Sequence, residues 1–188
     1  MLNQLPPLLG FVAPSGTGKT TLITAIIPLL KQYGLNIALI KHSHHDFDID
    51  YPGKDSYRFR KAGASSVMVV SSYRRALITE FDDKKEPTLA EQLTFFTQKD
   101  IDLILVEGFK NEKIPKIQLY RSGLLSACVV MNDPELLAIA ADIPLDLLTS
   151  PVKLDINKPQ QIAEFIVSWL HTVNINKLST FSDKADAF

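Results

Sequence analysis

The stretch LLGFVAPSGTGKTTLITAI, residues 8–26, limits what this chain can fold into more than any other. It opens on apolar Leu8, Leu9, Phe11 and Val12, a run of strand length. From Thr20 onward the apolar residues Leu22, Ile23, Ile26, Ile27 and Leu30 recur at the spacing of one helix face. Between the two runs lie small residues, a glycine–lysine pair and two threonines. The expected order is buried strand, tight loop, helix start. Backbone N–H groups in such a loop and in the first helical turn have no acceptor inside the helix, so they converge on an anion.

The residues of the loop sharpen this to a phosphate site. The pattern G-x-x-x-x-G-K-[ST] is met at Gly18, Lys19 and Thr20, with Ala13 in place of its first glycine. Alanine is the smallest departure possible. Gly16 and Gly18 let the backbone approach phosphate oxygens, Lys19 brings a mobile ammonium to the β- and γ-phosphates, and Thr20 offers a hydroxyl to Mg²⁺. Ser15, Gly16, Thr17, Gly18, Lys19, Thr20 and Thr21 are therefore the candidate nucleotide-binding residues.

The rest of the chain supplies the setting for such a loop. Lys19 to Tyr33 reads as a helix closed by Gly34, with a kink expected at Pro28. NIALIKH is a second strand, followed by the polar stretch SHHDFDIDYPGKDS and a short helix near Ser56–Ala62. SVMVVSS and RRALITE read as a hairpin, and a helix is expected from Glu86-Pro87 to about Gln98. IDLILVEG, PKIQLYR, ACVVM and LLAIAAD are further strands, and Pro159 to Leu170 is an amphipathic helix. Strands alternating with helices imply a mostly parallel α/β sheet of P-loop NTPase type, helices on both faces, with the hairpin as an antiparallel edge. Residues 1–173 are expected to form a single nucleotide-binding domain, and residues 174–188 a polar C-terminal tail.

Composition excludes several classes. A chain of 188 residues that is 46% hydrophobic holds one ordinary core. Its formal charge of −1 argues against nucleic-acid binding through overall charge. Apolar runs fall short of the ~18 residues that would suggest a membrane span. Cys128 is the single cysteine, which fits a reducing cytoplasmic setting.

In parallel sheets ligands sit at the carboxyl ends of the strands, and three such ends carry chemistry. IDLILVEG ends on Glu107-Gly108: the acid is a candidate Mg²⁺ ligand with Thr20, and the Gly108 N–H a candidate γ-phosphate contact. After the second strand, His42, His44 and His45 lie close to Asp46, Asp48 and Asp50. A metal site, a solvated loop and a nucleotide-sensing switch are the three readings of that stretch. Ligand spacing and the absence of cysteines there favour the switch. Lys54 and Asp55 stand where an anion contact or a helix N-cap is expected. LLAIAAD ends on Asp142, whose carboxylate could accept the two N–H donors of a guanine edge. Capping of the turn before Pro144 is the plainer role, and Asn132 and Asp133 are the alternative base readers.

The strings SGTGKTTL, IKHSHHDFDIDYPGKDSYRFRKAGA, DLILVEGFK followed by PKI, and IAAD together resemble the molybdopterin-guanine dinucleotide biosynthesis adapter family, MobB. The resemblance spans Gly10 to about Asp142. It implies a cytoplasmic homodimer that binds GTP and Mg²⁺ and hydrolyses GTP weakly. It also implies a role beside the enzyme that attaches GMP to molybdopterin, with molybdopterin itself as a further candidate ligand. No Asn-Lys-x-Asp sequence is present, so the preference for GTP rests on this resemblance. For catalysis the candidates are Lys19 and Glu107, with Asp46 and Asp48 to orient water. Two other classes stay open on the residues alone: a small-molecule kinase using Arg58, Arg60, Arg74 and Arg75 around an acceptor, and a metal-delivery GTPase using the histidines.

Overall fold

The computed structural model describes residues 5–43, 45–83, 86–96, 100–124, 133–145 and 151–185, side chains being described as far as 175. The chain forms two compact units, one of Met1–His42 with Leu93–Phe188, the other of Ser43–Gln92.

The first unit is built on a six-stranded sheet in the order β2-β5-β1-β6-β7-β8, comprising β1 (Leu8–Val12), β2 (Ile37–Lys41), β5 (Leu103–Glu107), β6 (Lys116–Tyr120), β7 (Leu136–Ala141) and β8 (Val152–Asp155). Every pairing in it is parallel, so all six carboxyl ends open at one edge. The strands read accordingly. β5 is buried along its whole length, as a strand covered on both faces must be. Two helices, α1 (Lys19–Gln32) and α4 (Pro159–Ala185), pack against each other. Leu22, Ile23, Ile26 and Leu30 of α1 and Ile162, Ala163, Ile166 and Leu170 of α4 bury against Leu9, Phe11, Leu103, Leu105, Ile117, Leu119, Ala138 and Ala140. These strand positions alternate, so one face of the sheet carries the main core. Ile104, Val106 and Ile139, on the other parity, are buried as well.

α1 is continuous, with Pro28 inside it. It ends in a Schellman motif, the Leu35 and Gly34 N–H groups donating to Leu30 O (3.3 Å) and Lys31 O (3.0 Å). α4 runs well beyond the expected end near Leu170, its helical backbone reaching Ala185. β8 was not legible as a strand, because VKLD is short and gives only one turn of alternation. The expected ACVVM strand lies outside the described residues.

The second unit holds α2 (Asp55–Lys61), β3 (Ser66–Val70) and β4 (Arg75–Thr79). The hairpin is antiparallel as expected, pairing Ser66 with Thr79 through Val70 with Arg75, but forms a two-stranded sheet of its own. The helix expected from Glu86 is one short turn, α3 (Leu89–Leu93). A capping box starts it: Glu91 N–H donates to Thr88 Oγ1 (3.3 Å) and Thr88 N–H to Glu91 Oε2 (3.1 Å).

Candidate functional site

The end of β1 delivers the chain directly into the loop at 13–18, and the loop is internally braced. Thr17 is buried, and its hydroxyl donates to Pro14 O at 2.9 Å. The Lys19 ammonium folds back over the loop, donating to Ala13 O (2.7 Å) and Pro14 O (3.0 Å). Gly18 caps α1 at φ 97°, a left-handed conformation that costs a side-chain-bearing residue ~1–2 kcal/mol. It brings no side-chain cap, and the first bond of the helix ladder is Leu22 N–H to Gly18 O at 2.9 Å. The N–H groups of Lys19, Thr20 and Thr21 precede that bond and lack an acceptor within the helix. Ser15, Gly16, Thr20 and Thr21 are exposed at this end. The arrangement suits an anion: converging N–H groups, a cation, and a helix dipole of the right sign.

On one side of the loop lie β5 and, beyond it, β2. The register sets Glu107 opposite both Phe11 and Lys41, so its carboxylate stands at the sheet edge beside the loop. Glu107 is 8% exposed and faces the Lys41 ammonium at 3.6 Å. Partial burial pushes the Lys19 ammonium below its usual value; Glu107 opposes that shift and Lys41 adds to it. Lys41 thus belongs to the same electrostatic cluster, although its place in NIALIKH suggests no role. Past Glu107 the backbone turns sharply. Gly108 has φ 95°, and a Cβ there would lie 2.8 Å from His42 Cβ. Phe109 follows at φ 49° and stacks on His42, ring centroids 4.5 Å apart. Gly108 N–H and the end of β2 are therefore locked together by close packing.

On the other side lie β6 and β7. Arg121, the first residue past β6, donates from Nε to Thr17 O at 3.3 Å. The next residue, Ser122, binds Asp142 through its N–H (2.7 Å) and its hydroxyl (2.9 Å). Those bonds, the backbone one foremost, hold the Asp142 carboxyl below its ordinary value. Asp142 clamps the ends of β6 and β7 together, a tie that neither the guanine reading nor the turn-capping reading anticipated. A carboxylate has about four lone-pair sites, so the clamp leaves room for a further donor. Asp133 is elsewhere. It accepts from the buried Lys116 ammonium at 2.6 Å and from Glu135 N–H at 3.0 Å, at the amino end of β6. That removes it as an alternative base reader, because base recognition belongs at the carboxyl edge. Asn132 lies outside the described residues.

Asp46, Asp48 and Asp50 belong to the second unit. Arg60, its side chain only 6% exposed, pairs with Asp48 (2.7 Å), Asp50 and Glu80. These carboxylates hold the guanidinium charged well above its usual range. Asp46 Oδ1 accepts from Phe47 N–H at 2.9 Å. Lys54 is the N-cap of α2 without a side-chain cap, and Asp55 pairs with Arg58 at 3.7 Å. His44 lies outside the described residues. Among the described residues no group of three or more His, Cys, Asp or Glu is arranged to hold a metal ion. Among them, too, no helix is long and apolar enough to cross a membrane.

Known proteins are similar to this chain in sequence and fold. The family model of MobB, molybdopterin guanine dinucleotide synthesis protein B, matches residues 8–142. A molybdopterin-guanine dinucleotide biosynthesis adapter protein of Escherichia coli is 47% identical over 89% of this chain and 95% of its own length. Its counterpart in Haemophilus influenzae is 43% identical over 91% and 93%. A crystal structure of molybdopterin-guanine biosynthesis protein B superposes with a TM-score of 0.68 at 27% identity, covering 87% of this chain and 99% of that one. The structure of Bacillus subtilis MobB gives a TM-score of 0.67 at 23% identity, a likeness of fold. None of these relatives supports the kinase or the metal-delivery reading. The matched segment begins with β1 and ends on Asp142, taking in the phosphate loop, the Glu107 edge and the Asp142 clamp, and the chain belongs to the MobB family.

Proposed function

We propose that this protein is an adapter in the biosynthesis of molybdopterin-guanine dinucleotide, and that it binds GTP with Mg²⁺ at the loop of residues 13–21. The observation that carries the reading is the braced, anion-directed loop of Ser15–Thr21 within a segment matched end to end by the family. Lys19, with the N–H groups of Gly16, Thr17, Gly18, Thr20 and Thr21, would hold the β- and γ-phosphates. To do so the Lys19 ammonium has only to leave two loop carbonyls for a better-charged acceptor. Thr20 and Glu107 would hold Mg²⁺, which when bound supplies positive charge to the phosphate oxygens. The fit of Glu107 lies in its position: a buried carboxylate beside the loop, paired with an ammonium beyond hydrogen-bond distance. Gly108 N–H would meet the γ-phosphate, and Asp142 would accept from the guanine edge. Its physiological partner would be the enzyme that attaches GMP to molybdopterin, with molybdopterin as a further ligand, in the cytoplasm.

A homodimer completes the reading. The β3–β4 hairpin, with α2 against β3, still exposes Met68, Val70 and Leu77 on one face. A second copy of the hairpin offers the same apolar face and open edge, which a two-fold axis matches to itself.

Calorimetric titration with GTP, GDP and ATP, with and without Mg²⁺, tests the nucleotide reading on wild type and Lys19→Ala. Wild type should bind GTP in the presence of Mg²⁺, and the folded variant should lose at least about tenfold in affinity, the size of a lost charge-assisted contact. Wild type that binds no nucleotide, or a variant that binds as wild type does, would overturn it.

A further inference from the structure

Arg121 occupies a position at the phosphate loop that the motif does not account for. It leaves the carboxyl end of β6, the strand paired to β1 on the side away from β5 and Glu107. Its Nε–H is committed to Thr17 O at 3.3 Å, which fixes the plane of the guanidinium against the loop. Nη2 lies 3.8 Å from where a Cβ on Gly18 would stand, so the guanidinium reaches the start of α1 where anion-directed N–H groups begin. Nη1 faces Asp142 Oδ2 at 4.0 Å, an ion pair too long to be a hydrogen bond. The Arg121 side chain is 39% exposed and Asp142 is clamped by Ser122, so the carboxylate stays in place while the guanidinium retains donors for a ligand.

We infer that Arg121 is a nucleotide-binding residue, its guanidinium engaging the α-phosphate and ribose side of the nucleotide between the loop and Asp142. This rests on the nucleotide reading of the loop. The direction of the contact follows from the sheet order. Glu107, Gly108 and Lys41 sit on the β5 and β2 side, where the γ-phosphate end is read. Arg121 sits on the β6 and β7 side, where Asp142 stands for the base. A guanidinium suits this place better than an ammonium would. One N–H holds the loop carbonyl while the remaining fork addresses an anion, and five fixed donors allow both at once. The contact is made equally with a diphosphate and a triphosphate, so it contributes affinity and not hydrolysis.

The test is titration of GDP and GTP, with Mg²⁺, into wild type, Lys19→Ala, Arg121→Ala and Arg121→Lys, with thermal melts of each free protein. Arg121→Ala should weaken GDP and GTP by the same factor, about ten- to a hundredfold, as expected for lost hydrogen bonds to a charged group. Arg121→Lys keeps the charge but loses the bond to Thr17 O, and should recover part of that loss while melting close to wild type. Unchanged affinity in either folded variant would overturn the inference. A loss confined to GTP would also overturn it, since that places the guanidinium at the γ-phosphate. If wild type binds neither nucleotide, the reading of the loop itself fails. If wild type binds and Lys19→Ala does not, the loop stands and Arg121 is judged on its own two variants.

Discussion

Gly108 shows how much one residue at a strand end is asked to do. Its backbone lies at φ 95°, and any Cβ would come within 2.8 Å of His42 Cβ, a carbon just past the end of β2 with nowhere to retreat while its ring stacks on Phe109. Gly108→Ala should therefore cost about 2–4 kcal/mol, summing left-handed strain and overpacking, read as a lower urea midpoint with an unchanged slope. A variant as stable as wild type would mean that the turn after Glu107 is not rigid. Asp142 is constrained differently: its two oxygens are shared with Ser122, and any base must use what is left. Asp142→Asn keeps the shape and one acceptor but offers a guanine edge an amide in place of the second. GTP preference over ATP should fall by about 1–3 kcal/mol in a competition titration. An unaltered preference would move base recognition off Asp142.

At the scale of elements, the second unit is organised around Arg60, which ties the loop carrying Asp48 and Asp50 to α2 and to Glu80 beyond β4. The bond from Arg60 is the main reason the Asp50 carboxyl sits below its ordinary value, with burial opposing. A depressed carboxyl stabilises the fold above its ordinary value of about 3.9, and the contribution is lost as pH falls through the folded value. Amide exchange at residues 45–54 should accordingly quicken relative to β5 as pH drops below about 4, with the effect missing in Arg60→Met. Equal acid responses in the two proteins would show that Arg60 does not hold this loop. The hub also marks what the sequence could and could not carry. Strands β1, β2, β5, β6 and β7, helix α1 and the loop between β1 and α1 were legible, because periodicity and turn chemistry are local. Arg121 and Lys41 were not, since nothing in PKIQLYR or IALIK announces which strand will lie next to β1. Their roles come from the order β2-β5-β1-β6-β7, which brings residues about 100 positions apart to one edge. Asp48 and Asp50 stood out as acids in a polar loop, and their commitment to Arg60 depends on a helix turn that spacing alone does not orient. The separate hairpin sheet and the length of α4 escaped for the same reason: pairing partners and packing are tertiary choices.

For the whole molecule, two expectations follow from what the chain presents and what it reserves. If two copies join through the apolar face of the hairpin as proposed, Met68→Lys together with Val70→Lys should shift the protein toward monomer in sedimentation velocity while leaving the six-stranded sheet folded; a monomeric wild type or unchanged sedimentation would overturn that contact. Hydrolysis is the second. Phosphoryl transfer needs charge stabilisation at the γ-phosphate beyond loop amides, a lysine and Mg²⁺, and a group that orients the attacking water. On the proposed reading this chain supplies the first set from Gly16 to Thr20 with Glu107. No glutamine follows Glu107-Gly108 to hold a water, and Arg121 stands on the β6 side of the loop, away from Glu107. Of Asp46 and Asp48, the acids expected to orient water, Asp48 is engaged by Arg60 within its own unit and Asp46 accepts from Phe47 N–H. A missing arginine at the transferring phosphate is worth about 10³–10⁵ in rate, so the purified protein should turn over GTP well below about one per second even when saturated. Addition of the guanylyl-transferring partner should raise that rate by supplying or ordering the absent groups, with GTP affinity changing far less than kcat. Turnover above about one per second by the protein alone, independent of its concentration, would mean that the chain already contains a complete hydrolytic site.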